Sequence, residues 1–186
     1  MSTDAVPISP PTIPSADALD RLPPDEFVRA VAPLFEGAPR FLARLWAGRP
    51  FGSDDRLMER AREIALAMPE AEQVELIDAH PRLGAPPGSV SALSFVEQGY
   101  DRETGGRAAE TERRRVAIEL ERLNADYEDC FGFRYCVYVA GRTRAALLAE
   151  MARALDKDRD AELRRAVEDA VAIAGDRLAR LREEHS

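Results

Sequence analysis

Histidine is the side chain best suited to moving protons near neutral pH, and this 186-residue chain has only two of them, His80 and His185. His185 stands at the frayed C-terminal end, so the chemistry is sought at His80. The next residue is Pro81, and a residue before proline is pushed out of the helical region toward an extended conformation. A helix running through Val74, Leu76 and Ile77 should therefore stop there and leave the imidazole at its exit. Glu97 lies seventeen positions on, just after Ser94. The Pro/Gly-rich loop from Gly84 to Gly88 between them can fold the second segment back over the first. A carboxylate within hydrogen-bond reach would fix the histidine's tautomer and favour its protonated form, a general acid/base arrangement. The sequence thus predicts that His80 and Glu97 meet.

Plainer readings stand beside this one. His80 can serve as a helix C-terminal cap, where a histidine interacts favourably with the helix dipole. Ser94-x-x-Glu97 spells a capping box, in which serine and glutamate satisfy backbone donors and do no chemistry. Gln98 and Arg177 are equally open, since polar residues near helix ends are common.

The elements that must position these residues read as helices almost throughout. A short turn over 15–22 precedes a helix opened by Pro23-Pro24-Asp25-Glu26, with Phe27, Val28, Val31, Leu34 and Phe35 on one face. Phe41, Leu42, Leu45 and Trp46 form the next stripe, ended by Gly48-Arg49-Pro50, with Trp46 read as core. Ser53 caps a helix carrying Leu57, Ala61, Ile64, Ala65 and Met68, and Pro69 opens the one that leads to His80. Gly105-Gly106 marks a break before a strongly charged helix with Val116, Leu120, Leu123 and Tyr127 inward, the run 110–115 being its solvated side. Residues 131–139 are aromatic and β-branched without helical period, so they read as an extended insert buried between helices, its backbone groups bonded to neighbours or to a ligand. Thr143 and Asp158 cap the last two helices. The final stripe is Leu163, Val167, Ala170, Ala174, Leu178 and Leu181, with Arg177 at its margin. There is no internal repeat. The expected architecture is all-α: one domain of about eight helices over residues 15–182, a disordered or extended lead-in over 1–14 and a frayed end over 183–186.

Composition narrows the function. The chain is long enough for one proper core, and 45% hydrophobic residues can supply it. No apolar run is long enough to cross a bilayer, and the Pro-rich start lacks the regions of a secretory signal, so a soluble, cytoplasmic protein is expected. The C-terminal residues are not a peroxisomal signal of the SKL type. A net charge of −8 with arginines interleaved among acids argues against nucleic acid as partner, and an anionic substrate would need a local positive pocket. Cys130 and Cys136 fit no metal spacing and suit free thiols in a reducing compartment. With so few histidines, no metal site is expected.

Four words in order then carry a resemblance: Ala79-His80-Pro81; Ser94-Phe95-Val96-Glu97-Gln98; Asn124-x-x-Tyr127-x-x-x-Phe131-Gly132-Phe133; and Ile173-Ala174-x-x-Arg177-Leu178. From about Leu19 to Leu181 the chain resembles the 2-oxo-4-hydroxy-4-carboxy-5-ureidoimidazoline (OHCU) decarboxylase family. The resemblance implies an all-α homodimer that works without a cofactor in urate degradation, converting OHCU to (S)-allantoin and carbon dioxide. It implies His80 as catalytic acid/base with Glu97 as its partner. It implies a pocket lined by Pro81, Ser94, Phe95, Val96, Glu97 and Gln98, backbone groups of Tyr135, Cys136, Val137, Tyr138 and Val139 offered to the substrate, and Arg177 holding an anionic or carbonyl group. The chain departs from the family at Arg134, where proline is frequent, at Ala140, where arginine is common, and at Arg82, where aspartate is frequent, and the stretch between Gln98 and Asn124 is longer. These departures keep two alternatives open, a non-catalytic helical interaction module and a decarboxylase of a related ureido or imidazoline acid.

Overall fold

Helix caps written into the sequence divide the chain. The computed structural model describes residues 11–102 and 106–184. Among them are nine α-helices and no strand: α1 (Ala16–Leu19), α2 (Pro24–Val31), α3 (Pro39–Ala47), α4 (Asp54–Ala67), α5 (Glu70–Ala79), α6 (Ala92–Glu97), α7 (Arg107–Phe131), α8 (Arg144–Ala154) and α9 (Arg159–Glu183). Ser53 Oγ accepts from the Arg56 amide (3.2 Å), Thr143 Oγ1 from that of Ala146 (3.1 Å), and Asp158 Oδ1 from those of Asp160 and Ala161 (3.0 and 3.1 Å). Each cap satisfies amides that a helix start leaves without partners. At the other end of α7, Gly132 adopts the left-handed conformation (φ +79°) that closes a helix with least strain.

The helix beyond the expected eight is α6. Its cap is Ser91, whose Oγ accepts from the Ser94 amide at 3.1 Å. Ser94 and Glu97 therefore lie inside the helix and form no capping box, which frees both side chains for other partners.

The apolar stripe of α9 is the centre of the core. Leu163, Ala166, Val167, Ala170, Ala174, Leu178 and Leu181 are buried on it, with α4 and α5 packed alongside. Arg177 is no marginal residue: it sits in the middle of this stripe with no exposed surface. Trp46 is only half-buried, its indole N–H donating to Leu22 O (3.2 Å) and the Arg49 guanidinium lying over its ring.

Of the insert expected over 131–139, Phe131 still belongs to α7, and residues 134–139 run without regular structure between the helices. Arg165 of α9 donates to Cys136 O (2.9 Å) and the Arg134 amide donates to Asp78 Oδ1 (2.9 Å), so side chains replace the missing sheet. Tyr127 Oη and Arg165 Nε share the wholly buried carboxylate of Glu162, each at 2.9 Å, beneath the same segment. Of the expected lead-in, residues 11–14 are extended and anchored: Ile13 is buried and its carbonyl accepts from Arg182, which is ion-paired with Asp54 (2.7 Å). Residues 1–10, Gly105 and the end at 185–186 lie outside the described residues.

The loop after Pro81 returns the chain to α5. Its Gly84 has φ +81°, and a Cβ added there would lie 2.7 Å from Leu120 Cδ1 of α7. Both the torsion and the close approach require glycine. Gly84→Ala is expected to lower unfolding stability by about 1–3 kcal/mol in a urea titration. An unchanged midpoint would show that this loop is not seated on α7.

Candidate active site

Burial of Arg177 forces the surrounding segments into one arrangement. Its Nε and Nη2 grip the Glu97 carboxylate in a two-pronged bond (2.7 and 2.8 Å). Nη2 also donates to Glu36 Oε1 (2.8 Å) and to Ser94 Oγ (3.0 Å), and Nη1 to the carbonyls of Pro33 (2.9 Å) and Leu34 (3.3 Å). All five N–H groups of the guanidinium are thereby occupied. Burial pulls its pKa down, but the hydrogen bonds and charges of Glu97 and Glu36 outweigh this and hold it above the ordinary value. For Glu36, burial raises the pKa, while Arg177 and the Ser91 and Ser94 hydroxyls reverse the effect and leave it below the ordinary carboxylate value.

This overturns two expectations. Arg177 has no donor left for a substrate anion, and the partner of Glu97 is Arg177, with no hydrogen bond to His80. His80 is the residue that ends α5, and its Nδ1 lies 3.1 Å from Leu76 O. A carbonyl can only accept, so Nδ1 carries the proton and Nε2 is the bare acceptor. Among the described residues, Nε2 is buried without a hydrogen-bond partner. Burial first and the Arg177 charge second pull the His80 pKa down to about 4, against smaller opposing effects of the Leu76 carbonyl, Glu36 and Glu97. The imidazole is therefore neutral at physiological pH, where the sequence reading favoured the protonated form.

His80 and Glu97 do share a wall. A cavity of about 410 Å³, within the range of small-molecule sites, is lined by His80, Pro81, Ser94, Val96, Glu97, Gln98, Arg177 and all five residues 135–139. Phe95 is not among the lining residues and packs its ring against Tyr100, 5.3 Å between centroids. Ser94, Glu97 and Gln98 stand at the i, i+3 and i+4 spacing that shares one helix face, and Phe95 points off that face. Gln98 secures the return of the chain: its Oε1 accepts from the Gly84 amide (2.7 Å) and its Nε2 donates to Arg82 O (3.3 Å). Burial pushes the Cys136 thiol up to about 12, so at this wall it is an uncharged surface and no nucleophile. Among the described residues, no cluster of His, Cys, Asp and Glu could hold a metal ion.

Sequence reasoning missed Glu36 and Arg180. Glu36 stands at φ +50° before Gly37, at what reads as an ordinary helix end, and nothing local announces its partner 141 positions away. Arg180 lines the cavity and donates to Glu97 Oε1 (3.1 Å) while paired with Asp176 (2.8 Å). Its spacing of three from Arg177 on one helix was the available signal.

The model of the OHCU decarboxylase family matches residues 20–179. The 2-oxo-4-hydroxy-4-carboxy-5-ureidoimidazoline decarboxylase of Haloferax volcanii is 29% identical over 162 residues, covering 87% of this chain and 92% of that protein. The protein of the same name from Mus musculus is 29% identical over 161 residues, with 87% and 89% coverage. A crystal structure of an OHCU decarboxylase in the presence of (S)-allantoin superposes with a TM-score of 0.61 at 23% identity, covering 78% of this chain and 92% of that one, a likeness of fold.

Arg177→Met removes the cation and leaves Glu36 and Glu97 charged and largely buried, and is expected to cost about 3–5 kcal/mol of unfolding free energy. Adding Glu36→Gln should restore part of it, and two strictly additive losses would show that the groups are not coupled. His80 gives a second test. The unfolded chain takes up its proton near 6.5 and the folded one only near 4, so stability present above pH 6.5 is lost as the pH falls toward 4. Between about pH 7 and about pH 5, wild type should lose more urea stability than His80→Gln. Equal losses would mean that the imidazole is not held neutral.

Proposed function

The chain belongs to the OHCU decarboxylase family, and from that premise we propose that it converts OHCU to (S)-allantoin and carbon dioxide in urate degradation, with residues 15–182 as the catalytic domain. The observation that carries this reading is that His80, whose Nε2 has no partner among the described residues, lines the same small cavity as Glu97 and residues 135–139. The roles of His80 and of the 135–139 backbone come to this chain by matched position, and the geometry suits them; the anion-holding role of Arg177 does not carry over, since its donors are taken.

The substrate bears hydroxyl and carboxyl groups on one ring carbon and a ureido group on the next. When the bond to the carboxylate breaks, its electron pair enters the conjugated ring, so the chemistry asks only for orientation and proton transfer. The ring then needs two protons, one on nitrogen and one on the ureido-bearing carbon. The hydroxyl, becoming a carbonyl, supplies one, and solvent the other.

Neutral His80, with Nδ1–H tied to the Leu76 carbonyl, accepts the hydroxyl proton at Nε2 and returns a proton to one face of the ring. Delivery from one face sets the S configuration. Glu97, held by Arg177, keeps a negative charge beside the imidazolium as it forms. Val137 N–H and C=O have no protein partner among the described residues and suit the ureido and ring amides. Leu83, Val96, Val139 and Ile173 add apolar wall that favours loss of the carboxylate's charge. The resemblance also carries a homodimer, and the two free cysteines suit a cytoplasmic site.

With substrate made freshly by urate oxidation and ring hydrolysis, wild type should yield optically active allantoin. His80→Ala and Glu97→Gln should each lose on the order of 10²- to 10⁴-fold in rate, and their product should approach the racemate of spontaneous decay. Wild-type rates in both variants would remove these roles. A wild-type protein that never outpaces spontaneous decay would favour the non-catalytic module, and one faster on another ureido acid would favour the related decarboxylase.

A further inference from the structure

The substrate of the proposed reaction is an anion, and Arg177, the cation matched to the family, has no donor to offer it. We propose that Arg180, one turn further along α9, receives the substrate carboxylate; the assignment rests on the decarboxylase reading.

Three observations point to Arg180. It lines the cavity, and with 35% of its side chain exposed it stands at the border between the chamber and solvent. Its two protein contacts among the described residues, to Glu97 and Asp176, both use Nη2, so no protein group there accepts from Nη1 or Nε, and Nε is buried without a partner. A guanidinium with three N–H groups uncommitted can add a charge-assisted bond to a carboxylate without breaking the frame that holds Glu97. The other arginine on this wall, Arg102, is 57% exposed and among the described residues its ion pair is a loose one, 3.7 Å to Asp101, which suits attraction of an anion better than fixing one. Asp176 is held in turn by Tyr138 Oη at 3.1 Å, so Arg180 is anchored to the extended segment as well as to Glu97.

The chemistry gives this contact a defined signature. The carboxylate is the part of the substrate that leaves, so an ion pair with it exists in the substrate complex and is absent from the allantoin complex. It also weakens as negative charge moves into the ring. Arg180 is therefore a binding and selectivity determinant, felt in KM more than in kcat.

The test compares substrate with product in the whole protein. Arg180→Gln should raise KM for fresh OHCU on the order of 10- to 100-fold, the loss of one charge-assisted hydrogen-bonded contact, with kcat falling by less than KM rises. The affinity for (S)-allantoin, measured by calorimetry or as product inhibition, should change less than about threefold. R180K keeps the charge without the planar fork and should recover part of the KM, and it carries the same comparison if R180Q does not fold. An unchanged KM in R180Q, or allantoin binding weakened in the same proportion as substrate binding, would overturn the assignment and leave Arg180 as a support for Glu97. A wild-type protein without activity would instead overturn the decarboxylase reading, and this assignment with it.

Discussion

A guanidinium in the middle of an apolar helix stripe is tolerated only when its charge is matched and its N–H groups are bonded, since one uncompensated buried charge removes several kcal/mol. Arg177 meets that condition by recruiting Glu97 and Ser94 from α6, Glu36 from the turn after α2, and the carbonyls of Pro33 and Leu34. The wall of the cavity follows from this demand. A six-residue helix such as α6 has little stability of its own, and the ion pair, with the Gln98 bond to the Gly84 amide, fixes it over the end of α5. The same guanidinium adds to burial, the larger cause, in lowering the pKa of His80, and it opposes burial in holding that of Glu36 down. One buried cation thus shapes the chamber and, with burial, sets the charge states around it.

At His80 the plain reading and the chemical one describe the same bond. The end of α5 leaves carbonyls without helical partners, and the imidazole answers one of them, Leu76 O, with Nδ1–H. By capping the helix the ring fixes its own tautomer, and the unshared pair of Nε2 is left without a partner among the described residues. Glu97 is consequently not needed to orient the ring, and Arg177 can claim it. The division of labour differs from a histidine–carboxylate dyad: a main-chain carbonyl aligns the imidazole, and the carboxylate acts through its field.

Arg134, Arg82 and Ala140, at which the resemblance implies other residue types, are built into the frame around the site. Arg134 donates through Nη1 to the carbonyls of Asp78 (2.6 Å) and His80 (3.1 Å), satisfying acceptors at the exit of α5. Arg82 forms a two-pronged bond to Glu128 of α7 (2.7 and 2.5 Å), anchoring the loop that follows Pro81. Ala140 lies on the cavity at φ +50°, next to Gly141 at φ +74°, in the turn that ends the extended segment. Arg134 and Arg82 thus reinforce the neighbourhood of His80 without occupying its Nε2.

The sequence alone determined what depends on neighbours a few positions away. Helical periodicity, the caps at Ser53, Thr143 and Asp158, the stop at His80-Pro81 and the irregular 134–139 segment are all local, because torsional preference and amide capping act within a turn. The words around His80 and Glu97 also named residues that share one cavity wall. Tertiary structure decided which side chain each charged group would hold. Glu36, Glu97 and Arg177 are separated by 61 and 80 positions, and only packing of the α2–α3 turn and α6 against α9 brings them within hydrogen-bond distance. The pKa of His80 was likewise beyond the sequence, since desolvation and the field of a distant cation exist only once the core has closed around them.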